Sequence, residues 1–216
     1  MRHRLDKKSS YMLIVTSVLL ISLLLNVYQK IDGSIFKKEI GNEINKSVEE
    51  IRTRNESILL TLEGCLVSES ITKEEVLTLY KNYSLISISE LNLWEKYLNN
   101  IENSWFKKDD KVNLAESNQN NIFANIEDLI YSLLLNSVSD NTDSIKLNEK
   151  LLVDIAVMKE ISYELNEYFN VFMSEKLGNL EGEDKAKKMI NKEYWIDILN
   201  YIESINNKYK DYMFKL

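Results

Sequence analysis

The stretch SIKLNEKLLVDIAVMKEISYELNEYFNVFMSEKLG, residues 144–178, decides the fold class. Its apolar residues recur three and four positions apart, which places them on one face of a long helix. Asp143 or Ser144 is the predicted N-cap, and Gly178 is suited to end the helix because glycine adopts a left-handed conformation at little cost. The apolar face consists of Leu147, Leu151, Ile155, Met158, Ile161, Leu165, Tyr168 and Phe172.

Composition extends the helical prediction to the whole chain. The 216 residues include no proline and five glycines, too few for the tight turns of an all-β fold or the loops of a nucleotide-binding sheet. Similar three-four patterns predict helices at about 35–68, 72–106, 112–138, 144–178 and 183–216. Short connections between helices of similar length predict an all-α fold, an elongated antiparallel bundle of four to five long helices.

Two local signals lie at the second predicted helix. Thr72 and Glu75 form a capping-box pattern that predicts its start. The serine-rich, β-branched run at 84–89 predicts a break, because Ser87 and Glu90 repeat the capping-box spacing there.

Residues 11–28, YMLIVTSVLLISLLLNVY, contain no charge. A helix of this length spans roughly 27 Å at about 1.5 Å per residue, close to the hydrocarbon thickness of a bilayer. We therefore expect an uncleaved, single-pass transmembrane anchor; a cleaved signal peptide is the main alternative, but no pair of small residues follows the run. The expected membrane-spanning residues include Tyr11, Leu13, Val15, Leu19, Leu20, Leu23, Leu25 and Tyr28.

Charges on either side of this run predict its orientation. Residues 1–10 carry Arg2, Arg4, Lys7 and Lys8 against one acid, so we expect a cytoplasmic basic tail. Residues 29–216 would then form an acidic domain outside the cytoplasm, at the cell membrane. Lys30, Lys37 and Lys38 follow the run closely and weaken the charge asymmetry.

The same residues exclude several kinds of chemistry. The net charge of −7 and the lack of a basic stripe argue against nucleic acid as a partner. The single histidine, His3, lies in the tail, and no phosphate-binding glycine motif is present, so no catalytic, metal or cofactor-binding residue is predicted. Cys65, the single cysteine, is predicted to be buried. The abundance of Lys, Asn and Ile is typical of a low-GC bacterium.

Aromatic residues are the remaining candidates for binding. Core packing is the main interpretation, and a groove that holds a protein partner is the alternative. The candidates are Trp94, Trp105 and Trp195, with Tyr212, Phe214 and Leu216 in the C-terminal segment YKDYMFKL. We expect a membrane-anchored, non-catalytic interaction or scaffold protein that binds a protein partner or forms a homo-oligomer. A ligand-sensing domain that signals through a membrane partner is the second hypothesis, with its ligand unknown.

Overall fold

The part of the chain that the structure describes is built almost entirely from helices. A computed structural model describes residues 7–102, 121–139 and 143–214, with the side chains of 7–10, 13, 29–36 and 100–102 outside the description. The elements are α1 (Lys7–Ser68), β1 (Ser70–Thr72), α2 (Lys73–Glu102), α3 (Ile122–Ser139), β2 (Ser144–Lys146), α4 (Glu149–Phe172), a π-helical turn (Met173–Leu177), α5 (Gly182–Asn191) and α6 (Tyr194–Tyr209). The predicted all-α class is confirmed.

Two compact units divide the chain, Met1–Ile40 and Gly41–Leu216. In the first unit, the large apolar side chains described between Tyr11 and Tyr28 are 40 to 73% exposed. Within the residues described, no helix is both long enough and apolar enough to pass through a membrane. The structure therefore gives no support to the transmembrane anchor predicted at residues 11–28.

In the second unit, α1 and α2 run antiparallel. Glu43 near the start of this part of α1 pairs with Lys96 near the end of α2. Further along α1, Ser57 accepts a hydrogen bond at 3.0 Å from Asn82, which lies in the first half of α2. Later residues of α1 therefore contact earlier residues of α2, so the two helices are antiparallel.

Two helices cover α2 at different levels. Tyr80 in its first half contacts Tyr131 of α3, with ring centroids 5.6 Å apart. Tyr97 in its second half contacts Trp195 of α6, at 6.2 Å. The start of α3 and the end of α6 meet between these levels, where the backbone N–H of Ile122 donates to the Asn206 side chain at 3.2 Å.

The core of this unit draws on every long helix. Its fully buried side chains include Ile51, Ile58, Leu62, Tyr83, Ile86, Phe123, Ile155, Phe169, Trp195 and Ile202, each 0% exposed. Cys65 is also 0% exposed, as predicted, and burial raises the pKa of its thiol to about 12. Apolar burial of this extent is the main stabilising contribution to the bundle.

Glycine permits a close approach between α1 and α5. A Cβ atom on Gly41 would lie 3.1 Å from Cδ1 of Ile190 and 3.5 Å from the carbonyl oxygen of Ala186. The first of these distances is tighter than ordinary van der Waals contact, so an alanine here would require the Ile190 side chain to shift by a few tenths of an ångström.

Several predicted boundaries are wrong. α2 continues through 84–89, because Ile86 and Ser89 of that run face the core and are buried. The N-cap of α4 is Asn148, whose Oδ1 accepts from the N–H of Leu151 at 2.9 Å, and not Asp143 or Ser144. The last predicted helix is split at Glu193, which adopts a left-handed φ of +55° between α5 and α6. The connection between the second and third predicted helices, at 107–110, lies outside the described residues.

A short antiparallel ribbon also joins two of the connections. β1 pairs with β2 in the register Ser70 with Lys146, Ile71 with Ile145 and Thr72 with Ser144. Each strand has three residues, too short for an alternating pattern to be recognised in the sequence. The ribbon holds the end of α1 and the start of α2 against the segment that leads into α4.

The predicted start of α2 at Thr72 and the predicted helix end at Gly178 are confirmed. The N–H of Glu75 donates to Oγ1 of Thr72 at 3.2 Å, and Oε2 of Glu75 accepts from the N–H of Thr72 at 2.7 Å. This reciprocal pair is a capping box. Gly178 has a φ of +59° and its N–H donates to the carbonyl oxygen of Met173 at 2.9 Å, which ends the π-helical turn after α4.

Replacing Thr72 by alanine should lower the free energy of unfolding by about 1 kcal/mol, because the hydroxyl that caps α2 is lost. Urea unfolding followed by circular dichroism measures this change. Thr78→Ala, six residues further along and inside α2, away from the cap, should change stability by less than about 0.5 kcal/mol. Equal effects of the two substitutions would contradict a capping role for Thr72.

Candidate functional site

Glu90 of α2 is a buried carboxylate at the point where α2, α3 and α6 meet. Its side chain is 2% exposed. The Asn206 amide donates to Oε1 at 3.2 Å, and the Asn121 amide donates to Oε2 at 3.1 Å. Asn206 belongs to α6 and Asn121 directly precedes α3, so one carboxylate links three helices.

The first turn of α3 orients both asparagine amides. Oδ1 of Asn121 accepts from the N–H groups of Phe123 at 2.9 Å and Ala124 at 3.1 Å, and Oδ1 of Asn206 accepts from the N–H of Ile122. Both amide oxygens therefore accept from backbone N–H groups of the first turn of α3, which have no partner within the helix. Both amide NH₂ groups consequently point to Glu90, which offers only acceptors when it is ionised.

Burial raises the pKa of Glu90 to about 7. The hydrogen bonds from Asn206 and Asn121 favour the ionised form and lower the pKa, the negative charge of Glu203 raises it, and a hydrogen bond with Trp94 lowers it. Desolvation is the largest of these effects. Glu90 therefore changes its charge near neutral pH, unlike an exposed glutamate.

A second buried polar group links α1 and α4, beside Tyr83 of α2. Nδ2 of Asn55 donates to the carbonyl oxygen of Ser162 at 2.7 Å, and the side chains of Asn55, Ser162 and Tyr83 are all 0% exposed. Burial raises the pKa of Tyr83 well above its ordinary value, against a smaller lowering by the Ser162 side chain. A tyrosine with a pKa raised in this way stays neutral and does not exchange a proton near neutral pH.

The C-terminal segment lies along α4. The hydroxyl of Tyr209 donates to Glu164 at 2.9 Å, and the hydroxyl of Tyr212 donates at 2.7 Å to Asp154, which is 0% exposed and also pairs with Lys150. Burial, with the Asp154 carboxylate beside it, raises the pKa of Tyr212 to about 12. Up to Tyr212, the segment YKDYMFKL is therefore docked on its own bundle.

The structure places Trp94 and Trp195 in the interior, on either side of Tyr97. Trp94 is 8% and Trp195 0% exposed, and their rings lie 5.7 Å and 6.2 Å from the Tyr97 ring. These positions agree with the core interpretation. Binding of a partner by either tryptophan stays a prediction, since their exposed surface in this conformation is small.

The remaining predicted site residues are separate from these two tryptophans. Tyr212 and Phe214 are half-buried, with ring centroids 4.7 Å apart. Trp105, Leu216 and the side chain of Leu13 lie outside the described residues. The other residues predicted to span a membrane are exposed, namely Tyr11, Val15, Leu19, Leu20, Leu23, Leu25 and Tyr28.

Several acidic side chains elsewhere in the bundle are engaged in ion pairs. Glu49 pairs with Arg52 at 3.1 Å and with Lys185 of α5. Desolvation raises the pKa of Glu49, but Lys185 and Arg52 together lower it by more than this, so the pKa lies below its ordinary value. In the part of the chain that the structure describes, no three His, Cys, Asp or Glu side chains are placed to hold a metal ion.

The polar cluster at Glu90 was missed in the sequence. The capping-box spacing from Ser87 assigned Glu90 to the start of a helix, whereas the helix is continuous there and Glu90 faces the core. Periodicity carries the missed signal: Glu90 lies four residues after Ile86 and three before Leu93, both fully buried. A carboxylate on the buried stripe of a helix requires partners, and Asn121 and Asn206 supply them.

Comparison of the chain with known protein families, with curated proteins and with solved structures finds no match.

Proposed function

We propose that the protein is a membrane-anchored, non-catalytic interaction protein whose helical bundle acts outside the cytoplasm through contacts with other proteins. One observation carries the proposal of attachment. Residues 11–28 form an uncharged helical run whose described large apolar side chains are 40 to 73% exposed. Exposed apolar surface of this kind is characteristic of sites that contact lipid or another protein.

Support for a binding role comes from the bundle. Two buried carboxylates join separate parts of the bundle: Glu90 connects α2 with α3 and α6, and Asp154 connects α4 with the C-terminal segment at Tyr212. Glu90 and Asp154 are buried at 2% and 0% exposure, so a substrate would not reach them without movement of the helices. Groups of this kind favour a scaffold over a catalytic site.

Fractionation of cells that produce a C-terminally tagged full chain tests the attachment. We expect the protein in the membrane pellet and resistant to alkaline extraction. Leu19→Arg combined with Leu23→Arg should move it to the soluble fraction, because each arginine at mid-membrane costs roughly 2.5–3.5 kcal/mol. Leu60→Arg combined with Val67→Arg, on exposed positions of the same helix in the second unit, is the matched control and should leave the protein in the pellet.

Protease added to intact cells tests the orientation, and crosslinking identifies the partner. Digestion of the C-terminal tag, with a discrete crosslinked band, is the expected result. A tag that is protected while the protein stays in the pellet would contradict the proposed orientation. A wild-type chain found in the soluble fraction would contradict the anchor. An accessible tag without any crosslinked band would favour the ligand-sensing alternative.

A further inference from the structure

The solvent-facing side of α2 carries a stripe of exposed apolar residues. Leu77, Leu91 and Leu98 are 53, 67 and 43% exposed, and Ile88 is 52% exposed. The three leucines are spaced by multiples of seven residues. Ile88 lies four residues after position 84, which belongs to the same heptad series. These four residues are called the α2 seam below. Their spacing is that of the contact surface of a coiled coil.

The other sides of α2 are already occupied. Lys96 on one side pairs with Glu43 of α1, while Tyr80 and Tyr97 contact α3 and α6 on the other. The seam therefore occupies the side of α2 that remains open in the described chain. Apolar side chains repeated along one open helix face are suited to bind another helix, since they bury together along its length.

Charges on the same face indicate which helix fits. Lys81 lies seven residues before Ile88 and Glu95 lies seven residues after it, and both side chains are exposed. Neither forms an ion pair with another described residue. An antiparallel copy of α2 with its two-fold axis at Ile88 brings Lys81 level with Glu95 of the second copy, twice by symmetry. A parallel copy in register would bring like charges together, which is unfavourable.

We propose that the α2 seam binds the α2 seam of a second copy of this chain in an antiparallel arrangement centred on Ile88. The inference goes beyond the proposed function: it concerns the second unit alone and names the partner for one of its surfaces. Burial of four apolar residues from each copy supplies attraction, and the reciprocal Lys81–Glu95 pairs select the direction.

Charge exchange tests the pairing in the purified full chain, held in mild detergent and studied by sedimentation over a range of concentrations. Wild type should form a dimer. Lys81→Glu places two acids level with each other and should weaken dimerisation roughly tenfold or more. The double variant Lys81→Glu with Glu95→Lys restores opposite charges and should recover the wild-type affinity. Lys159→Glu, which removes a cation on α4 away from the seam, is the control and should leave dimerisation unchanged.

Cysteine crosslinking tests the direction independently, since Cys65 is buried. A Lys81→Cys chain with one tag is mixed with a Glu95→Cys chain that carries another tag. An antiparallel dimer gives a disulfide between the two different chains. A parallel dimer gives disulfides only between two copies that carry the same cysteine and the same tag, and this result would overturn the proposal.

Each further outcome is decisive. A wild-type chain that stays monomeric, or a dimer whose affinity is the same in Lys81→Glu, contradicts the seam. Circular dichroism of each variant shows whether the fold is retained, and the exposed positions make this the expected result. Neither of these two outcomes changes the results expected from membrane fractionation and partner crosslinking. Failure of the seam proposal is therefore distinguishable from failure of the proposed function.

Discussion

Trp195→Ala is expected to lower the free energy of unfolding by about 3–5 kcal/mol, the largest effect of any single substitution considered. Trp195 is 0% exposed, and its ring packs against Tyr97 across the contact between α6 and α2. Removal of the indole leaves a cavity that the surrounding helices fill only in part, so both apolar burial and packing contacts are lost.

Urea unfolding of the full chain, followed by circular dichroism, measures this loss. Tyr163→Ala is the control, because Tyr163 is 52% exposed on α4 and its removal should cost less than about 1 kcal/mol. The pair also tests the alternative for Trp195. If Trp195→Ala folds with wild-type stability but loses a crosslinked partner, the ring serves binding and the core interpretation is wrong.

The second large effect concerns the pH dependence of stability that Glu90 produces. In the fold its pKa is raised to about 7, whereas in an unfolded chain it is about 4.3. Between these values the folded state holds a proton that the unfolded state has released. The contribution of Glu90 to the stability of the fold is therefore greatest below about pH 4.3, falls as the pH rises towards 7 and is constant above that. The loss is on the order of 3–4 kcal/mol, from the difference between about 7 and about 4.3 at 1.36 kcal/mol per pKa unit.

Glu90→Gln removes this titration, and its amide nitrogen replaces one of the two oxygens that accept from Asn121 and Asn206, a loss that does not depend on pH. We expect the stability of the variant relative to wild type to rise by on the order of 3–4 kcal/mol between pH 4 and pH 8, measured by urea unfolding at both values. Other carboxylates such as Glu49, whose pKa is lowered, contribute the opposite slope, so the difference between variant and wild type isolates Glu90. Asp128→Asn, an exposed acid on α3, should leave the pH profile unchanged. A Glu90→Gln profile parallel to wild type would show that Glu90 does not titrate in this range.

Periodicity predicted the helices well because burial of one face is what forms them. The apolar stripe of α4, the Thr72–Glu75 cap and the Gly178 turn all follow from short-range rules. The break predicted at 84–89 failed because intrinsic helix propensity is weak, and burial of Ile86 and Ser89 outweighs it. The division between α5 and α6 at Glu193 depends on a single left-handed residue, for which the sequence offers no glycine.

The candidate site was harder to predict for a different reason. Glu90 lies 31 residues from Asn121 and 116 from Asn206 along the chain, and no local pattern connects them. Each of the three reads in isolation as an ordinary polar residue. The available signal was that Glu90 falls on the buried face of α2 by helical periodicity. Using this signal means giving the periodicity more weight than the capping-box spacing of Ser87 and Glu90.

The cap of α3 has a consequence for how the chain acquires its structure. The N–H of Ile122 is satisfied by Asn206, 84 residues later in the sequence. During synthesis from the N-terminus, α3 emerges from the ribosome long before α6 exists to complete its first turn. The centre of the bundle therefore closes late, and until then the carboxylate of Glu90 remains open to water. Contacts of such long separation slow folding, because chain entropy must be lost before they form.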